Sequence, residues 1–394
     1  MHANNQHAPT HPRQGGPTDG GRLTVGIVGG GVGGLAAAIA LRRAGLEPVV
    51  FEQAARFGRV GADINLTPNA VKALDGLGVG ATLRRTAARP THRLSRSWDT
   101  GEETSRIEMG DEAQTRYGAP QLTMHRADLL AALEDALPPG TVRFGSRLIR
   151  TVEHTDGVTA TFEDGSETDV DILVGADGIH SVVRTDLFGP ETPRFTGLVA
   201  YRAVVSAGRL EVPGMDTFTK WWGPDPATQL VTFPLNRGRD LFVFATTAQE
   251  SWQHESWTTP GDAAELRSHY GDFHPEARAV LDACDEVLKS ALYVRDPLPL
   301  WSSARRTLLG DACHPMTPFM AQGAAMAIED AVVLARALAT ADPRCPEPAL
   351  KSYETTRQDR TARVQLGSRG NDWLHTSGNG DWVYAYDAWT VALG

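Results

Sequence analysis

Two kinds of hydrophobic pattern divide the chain. Short apolar runs that lead straight into glycine or an acidic residue, such as 23–28 and 48–51, are typical of buried parallel strands. Longer segments rich in aromatic and β-branched residues, such as 196–205 and 241–245, favour an antiparallel sheet. The predicted fold class is α/β (α+β): a Rossmann-like βαβ domain with an inserted antiparallel-sheet domain and C-terminal helices.

The same patterns predict the domain boundaries. Residues 1–22 are rich in Gly, Pro, Gln, Asn and Thr and carry almost no large apolar side chains, so we expect a disordered leader. Residues 23–185 and 296–340 are expected to form one discontinuous nucleotide-binding domain. The inserted substrate domain is expected over 186–295, and a helical segment over 341–394.

The first βαβ unit predicts a dinucleotide site. Strand 23–28 runs into glycines at G-x-G-x-x-G spacing, a helix follows as far as Gly45, and the next strand ends in Glu52, about 20 residues beyond the glycines. Glycines let the backbone approach a pyrophosphate, and the helix N-terminus stabilises its charge. Glu52 can accept hydrogen bonds from both ribose hydroxyls, which argues against a 2′-phosphate. The loop residues expected at the dinucleotide are Gly29, Gly31, Val32, Gly33 and Gly34.

Two later strands are each followed closely by an acidic residue. Strand 168–174 precedes Asp177, and strand 306–309 precedes Asp311, after which an alanine-rich helix begins. Arg126, where a short strand meets a helix, is a candidate phosphate or flavin contact. An exposed arginine in a surface salt bridge is the alternative for this position.

Composition excludes several classes of function. The net charge of −10 without a basic cluster argues against nucleic acid, and no apolar run is long enough to span a membrane. Three cysteines without C-x-x-C spacing argue against a zinc ribbon and a disulfide framework, and no metal site is proposed. Without a secretory signal pattern, we expect a cytoplasmic protein, a monomer or a homodimer. A carboxylate ligand would have to be drawn by local arginines or helix termini.

The order of the three motifs, G-x-G-x-x-G, Asp177-Gly178 and Gly310-Asp311, resembles the flavin-dependent aromatic hydroxylases of the para-hydroxybenzoate hydroxylase type over nearly all of residues 23–390. Within that group, four segments are most similar to the 6-hydroxynicotinate 3-monooxygenase family: 220–222, 297–302, 310–330 and 381–387. The resemblance implies a single-component enzyme with FAD, NADH or NADPH as co-substrate, and molecular oxygen. It implies hydroxylation, through a flavin C4a-hydroperoxide, of an electron-rich aromatic carboxylate, an amino- or hydroxybenzoate or a hydroxypyridine carboxylate.

The resemblance also implies positions for the cofactor. The glycine loop and Glu52 would hold the ADP half of FAD, Arg126 its middle and Asp311 its ribityl chain, while Asp177 lies at a second tight turn against phosphate. The residues expected beside the isoalloxazine are Gln322, Gly323 and Ala324.

The substrate site departs from the pattern. Asn65 and Phe233 stand where the 6-hydroxynicotinate enzyme has a histidine and a tyrosine, which suggests a ring without a pyridine nitrogen. Asn65, Phe233, Tyr201 and Arg202 are the predicted substrate contacts, and Tyr201, His314 and Asn65 are the candidate catalytic residues. Alternatively, Tyr201 is a hydrogen-bonded strand tyrosine and His314 only shapes its loop.

Two other functions fit the same motifs. A flavin oxidase or reductase would consume a reductant without inserting oxygen. A non-catalytic FAD-binding sensor would fit the missing histidine and tyrosine.

Overall fold

The computed structural model describes residues 22–58, 63–252, 259–370 and 380–394. The predicted leader therefore lies outside the described residues, apart from Arg22. The strands are β1 (Thr24–Val28), β2 (Glu47–Phe51), β3 (Ile64–Leu66), β4 (His92–Ser97), β5 (Glu103–Glu108), β6 (Leu122–Met124), β7 (Val142–Arg143), β8 (Leu148–Glu153), β9 (Val158–Phe162), β10 (Glu167–Val170), β11 (Ile172–Gly175), β12 (Arg194–Ser206), β13 (Phe218–Trp222), β14 (Gln229–Leu235), β15 (Asp240–Ala248), β16 (Pro260–Gly261), β17 (Val287–Val294) and β18 (Arg306–Leu308). The helices are α1 (Val32–Arg43), α2 (Pro68–Gly76), α3 (Gly80–Thr86), α4 (Asp111–Tyr117), α5 (Arg126–Asp135), α6 (Val182–Phe188), α7 (Ala263–His269), α8 (Pro275–Asp282), α9 (Gly323–Leu338), α10 (Glu347–Gly367) and α11 (Asp381–Tyr384).

A parallel five-stranded sheet, in the order β18-β11-β1-β2-β7, forms the centre of the first layer. β1 is almost wholly buried because helices or strands cover both of its faces, as the continuous apolar run predicts. α1 and α9 pack against each other beside this sheet. α1 ends where Gly45 takes a φ of +88°, the left-handed conformation in which glycine closes helices. The predicted mixed α/β class is confirmed.

The second large sheet has eight strands, in the order β16-β17-β12-β15-β14-β13-β4-β5. It is antiparallel except between β13 and β4, which run parallel. β4 and β5 come from residues 92–108, well before the predicted substrate domain of 186–295. The sequence does not show that these two strands join the sheet, because strand pairing over such a distance leaves no local mark on the sequence, and the division into domains stays a prediction.

The two faces of this sheet bury different sets of side chains. The outer face packs on α7 and α8 and includes Tyr201, Trp221, Leu230 and Val243. The inner face packs on Phe319, in the loop that precedes α9. Its residues are Ala200, Phe218, Phe233, Leu235, Phe242, Phe244 and Leu292. Because side chains alternate along a strand, the face on which one residue lies determines the faces of its neighbours.

The C-terminal elements support the first layer from behind. α9 lies between α1 and α10, and residues 380–394 return across this side of the molecule. Arg360 on α10 donates to the carbonyls of Trp382 and Val383, and Arg336 on α9 donates to the carbonyl of Ala388. Within the described ranges, no helix combines the length and apolar character needed to cross a membrane.

Candidate active site

The glycine loop between β1 and α1 is shaped to receive a phosphate group. Gly29 has a φ of +104°, and a Cβ at that position would lie 2.4 Å from the Ala176 carbonyl oxygen, so only glycine fits. A Cβ on Gly34 would lie 2.0 Å from the Gly29 carbonyl oxygen. In contrast, a Cβ on Gly31 would meet no atom within 4 Å. Open space therefore faces the N-terminus of α1, where Val32 and Gly33 form the first turn.

Glu52 holds this loop in place from the end of β2. Its Oε2 accepts from the Gly30 N–H at 2.7 Å, and its Oε1 accepts from the Ala54 N–H at 2.8 Å. Arg126 begins α5 and is partly buried, and burial lowers its pKa while Asp311 and Glu52 oppose that shift. The Arg126 guanidinium is thus close enough to both carboxylates to interact with them electrostatically.

Asp177 closes a second turn against the first. A Cβ on Gly29 would lie 3.1 Å from the Asp177 Cα, so the two turns are adjacent. Asp177 Oδ2 accepts from the N–H groups of Val182 and Val183 and thereby caps α6, while its buried Oδ1 has no hydrogen-bond partner in the structure. Burial raises the pKa of Asp177. Oδ2 therefore serves the start of α6, while Oδ1 makes no hydrogen bond within the described residues.

The third motif forms the loop from β18 to α9. Gly310 turns with a φ of +64°, and its N–H donates to Asp330 Oδ2 at 3.1 Å. Desolvation by the surrounding protein raises the pKa of Asp311, although His314 and Arg126 oppose the shift. Asp311 lines a cavity between this loop and the large sheet, where its carboxylate can meet a ligand.

His314 lies behind this loop. It is 1% exposed, and its Nε2 is 2.6 Å from Asp330 Oδ2. It is not among the residues that line the cavity described below, and its burial against Asp330 favours the alternative that it shapes the loop, while its catalytic role stays a prediction. Asp330 also accepts from Arg357 Nε at 2.7 Å. Although burial opposes ionisation, His314 and Arg357 lower the pKa of Asp330 and keep it charged.

Cys313, His314 and Asp330 form the one group in the described part of the chain whose ligand atoms are close enough for a metal, within 4.8 Å of one another. Burial raises the pKa of the Cys313 thiol well above its ordinary value, which disfavours the thiolate that a metal needs. Asp330 is already bound by Arg357 and the Gly310 N–H. The group therefore fits a hydrogen-bonded support better than a metal site.

The turn that leads into α9 contains a strained residue and is held by buried hydrogen bonds. Ala321 takes a φ of +54°, which costs about 1–2 kcal/mol for a residue other than glycine. Gln322 is wholly buried, and its side chain donates to Thr67 Oγ1 at 2.8 Å and accepts from Asn69 Nδ2 at 3.0 Å. The predicted flavin contact of Gln322 can therefore come only from its backbone. Gly323 and Ala324 follow as the first turn of α9.

A cavity of about 110 Å³ lies between the inner face of the large sheet and the loop after β18. Its lining includes Ile179 from the second turn, Asp311 and the segment Pro315–Pro318 from the third motif, and Arg202, Ser290 and Leu292 from the sheet. The cavity thus joins the nucleotide-binding layer to the inserted sheet.

Arg202 and Tyr201 are consecutive on β12 and point to opposite faces. Arg202 lines the cavity and its Nη1 donates to Ser290 Oγ at 2.5 Å. Tyr201 is 1% exposed on the outer face, where Lys289 Nζ lies 5.0 Å from its ring centroid. This placement disfavours Tyr201 as a substrate contact and catalytic residue, and the assignment stays an untested prediction. The sequence indicates that the side chains of a strand alternate between two faces. It does not indicate which of the two sets faces the cavity.

Asn65 and Phe233 lie on elements that meet at the end of β14. Phe233 belongs to the inner face and stacks on Phe218 with ring centroids 5.2 Å apart. Asn65 on β3 pairs with Thr123 on β6, whose hydroxyl donates to the carbonyl of Pro234. Asn65 Oδ1 accepts from Gln121 Nε2 at 2.7 Å, and its buried Nδ2 has no hydrogen-bond partner in the structure.

The sequence did not point to Ser290, which lines the cavity, or to Asp63, which interacts electrostatically with Arg202. Ser290 is a small polar residue in the otherwise apolar β17, and its parity with Leu292 is the signal that could have placed it on the inner face. Asp63 precedes β3, and burial raises its pKa to about 6 although Arg202 opposes the shift. The signal that could have indicated Asp63 is its position as an acidic residue directly before an apolar strand.

Comparison with known proteins agrees with this geometry. The family described as FAD binding domain matches residues 22–367. A 6-hydroxynicotinate 3-monooxygenase from Bordetella bronchiseptica is 40% identical over 377 residues, which cover 95% of this chain and 97% of the relative. A 3-amino-4-hydroxybenzoate 2-monooxygenase from Streptomyces platensis is 38% identical over 352 residues, which cover 88% of this chain and 87% of the relative.

A solved structure supports the cofactor assignment. The crystal structure of Klebsiella pneumoniae HpxO complexed with FAD and uric acid has a TM-score of 0.78 and 28% identity, and the match covers 92% of this chain and 91% of that one. The open space before Gly31 and the carboxylate of Asp311 at the cavity fit a flavin dinucleotide lying between them. The chain therefore belongs to the FAD-binding family of flavin-dependent aromatic monooxygenases.

Proposed function

We propose that this enzyme uses FAD, NADH or NADPH, and molecular oxygen to hydroxylate an aromatic carboxylate. The observation that carries the substrate class is Arg202, a guanidinium on the wall of the cavity, on the sheet opposite Asp311. A planar fork of donors suits a carboxylate, and Ser290 fixes its orientation. Both relatives described above are named for aromatic acids with a ring hydroxyl.

The cofactor would be held by the three turns. The backbone of the glycine loop would hold the pyrophosphate, Glu52 would bind the adenosine ribose by exchanging one of its backbone contacts, and Arg126 would neutralise phosphate charge. Asp311 would bind ribityl hydroxyls. Gln322, Gly323 and Ala324 would present backbone N–H groups at the start of α9, where negative charge on the reduced flavin is stabilised.

The flavin, when bound and reduced, supplies the activated oxygen. The residues of this chain bind and orient the ring that receives it. Arg202 would hold the carboxylate, while Phe233, Phe244 and Leu292 would cover the ring and exclude water. The unpaired Nδ2 of Asn65 provides a donor for a substrate hydroxyl or for the flavin edge.

The experiment combines a substrate panel with two variants. The FAD-loaded enzyme is given NADH or NADPH and a series of hydroxy- and aminobenzoates and hydroxypyridine carboxylates, and reductant oxidation and product mass are recorded. Arg202→Met should raise KM for an aromatic acid about 10- to 100-fold, the effect of losing a hydrogen bond to a charged group. Arg194→Met, the same change at the exposed start of β12, is the control.

The outcomes separate the alternatives. A product heavier by one oxygen atom, with KM raised only in the Arg202 variant, would support the proposal. Fast oxidation that yields only peroxide would favour a flavin oxidase or reductase, and no acceleration by any acid would favour a sensor. Tyr201→Phe should keep full activity because Tyr201 lies on the outer face.

We also propose that the protein works in the cytoplasm as a monomer or homodimer. Its free cysteines support this location: Cys284 and Cys313 are buried and unpaired, as is usual where thiols stay reduced. Size-exclusion chromatography with light scattering would determine the oligomeric state.

A further inference from the structure

Met316 lines the cavity from the loop between β18 and α9. Its side chain is half-buried and packs against the core of the first layer. A Cβ on Gly323 would lie 3.8 Å from Met316 Cγ and 3.9 Å from Asp311 Oδ1, so the methionine and the aspartate lie on either side of the start of α9. The Met316 thioether is therefore next to the residues that are expected beside the isoalloxazine.

The other methionines of the described residues are placed differently. Met215, in the loop before β13, is also half-buried, but it does not line the cavity. The rest are wholly buried: Met109, Met124, Met320 and Met326. Within the described ranges, Met316 is thus the methionine that combines a partly exposed side chain with a place at the cavity.

The proposed reaction can bring an oxidant to this cavity. When no ring accepts the oxygen atom, the two electrons of NADH or NADPH pass to molecular oxygen and, with two protons, give hydrogen peroxide. One peroxide molecule held in a cavity of about 110 Å³ has a local concentration on the order of 10 M, far above the concentration that it reaches after escape. A thioether has no proton to lose before it reacts, so exposure and proximity decide which methionine is oxidised.

We propose that Met316 is an oxidation site of this enzyme, converted to methionine sulfoxide by the hydrogen peroxide that turnover without oxygen insertion forms in the cavity. This inference rests on the proposed function, because it needs a bound flavin that reacts with oxygen. A lone pair of the Met316 sulfur attacks one peroxide oxygen, the O–O bond breaks, and an S–O bond forms. The other oxygen keeps both protons and leaves as water. Sulfur is oxidised by two electrons, and peroxide is reduced by two.

The sulfoxide would alter the substrate side of the cavity. It adds an oxygen with a strong dipole to a lining that also includes Arg202, and this oxygen can accept a hydrogen bond from the guanidinium. A substrate carboxylate would then compete with the sulfoxide for Arg202 and would have less space. Oxidation of Met316 therefore weakens substrate binding in an enzyme that releases peroxide, and methionine sulfoxide reductases would reverse the change.

The test follows a labelled oxygen atom. The FAD-loaded protein, without any aromatic acid, is reduced anaerobically with one equivalent of dithionite and reoxidised with ¹⁸O₂ in repeated cycles. Catalase in the solution destroys the peroxide that escapes. Tandem mass spectrometry of the tryptic peptides 307–336 and 210–220 then measures the label at Met316 and at Met215. In a parallel sample, hydrogen peroxide is added from outside, without reductant or catalase.

The expected result is a label at Met316 that depends on the flavin. The ratio of Met316 to Met215 oxidation should be about tenfold or more higher in the flavin cycles than with outside peroxide, because the oxidant forms beside Met316. After the cycles, the protein should bind the aromatic acid that the substrate panel identifies about tenfold more weakly, and methionine sulfoxide reductases should restore the affinity. Met316→Leu, an apolar side chain of similar size, should lose no affinity during the cycles, whereas the control Met215→Leu should lose it as the natural protein does.

Other results would overturn the inference. An unlabelled Met316, or the same selectivity with outside peroxide, would refute the oxidation site. An affinity that the cycles leave unchanged would refute the effect on substrate binding. These failures concern this inference alone, because FAD binding and oxygen insertion into a substrate are measured separately. If the protein binds no FAD, or if its reduced flavin does not react with oxygen, the proposed function fails with it.

Discussion

Replacing Asp330 with asparagine should destabilise the protein, because Asp330 holds the loop between β18 and α9 in place. Asp330 and Arg357 are wholly buried, and the carboxylate contacts Arg357, His314 and the Gly310 N–H. Glu329, also wholly buried, pairs with Arg357 and Arg360 at 2.8 Å, so this cluster balances two carboxylates with two guanidinium groups. Asp330→Asn keeps the side-chain volume but leaves one carboxylate for two cations.

The expected loss is about 3–5 kcal/mol of unfolding free energy, the usual cost of breaking a buried ion pair. Stabilities of about 5–15 kcal/mol are typical of folded proteins, so this is a large fraction. Arg357 cannot escape the loss by deprotonation, because a guanidinium stays protonated in proteins and Glu329, which raises its pKa, remains beside it. The loop from Gly310 to His314 should loosen as well, because two of its anchors are bonds to Asp330.

The assay is urea denaturation of the FAD-loaded protein and of the apoprotein, together with the Kd of FAD. Asp296→Asn is the control, because Asp296 pairs with Arg369 at 2.8 Å but has a side chain that is 78% exposed. An exposed pair contributes only about 0–1 kcal/mol. If Asp330→Asn lost no more stability than this control, or if FAD bound equally well to both, the account of the buried cluster would be refuted.

Further predictions concern the cofactor loop and the cavity. Gly31→Ala should weaken FAD binding without lowering the stability of the apoprotein, because its Cβ would meet no protein atom within 4 Å; Gly34→Ala should harm both, because its Cβ would lie 2.0 Å from the Gly29 carbonyl oxygen. The ratio of flavin to protein absorbance and the unfolding midpoint distinguish the two effects. KM for a carboxylate substrate should rise as the pH passes about 6, since Asp63 is neutral below that pKa and above it becomes a carboxylate that competes for Arg202. Asp63→Asn should give a flat KM profile between pH 5 and 7.5, and a rise that persisted in this variant would contradict the assignment.

The sequence was informative wherever chemistry follows the local chain. The glycine loop, Glu52 and the turn at Asp311 could be placed because each lies at the end of an apolar strand that enters a parallel sheet. The two faces of β12 could not be told apart, because alternation gives the period but not the side that faces the cavity. That choice is made by packing against α7 and α8, and it turns Tyr201 outward.

The buried side chains that hold this loop could not be predicted from the sequence, for a different reason. Asp330 and Arg357 are 27 residues apart and on different helices, and Gln322 reaches Thr67 over a separation of 255 residues. Charged residues on helices usually indicate a solvated face, so a buried ionic cluster has no signature in residue type or spacing. Only tertiary structure shows that these side chains meet.

The site therefore rests on two separate supports with different consequences. The loop that would hold the flavin is anchored by side chains of α9 and α10, whereas the wall that would hold the substrate is the inner face of the large sheet. Changes on the inner face, at Phe233 or Phe244, do not alter the ionic cluster. Substrate preference can accordingly change while the cofactor stays bound, which is consistent with a family whose relatives are named for different aromatic acids.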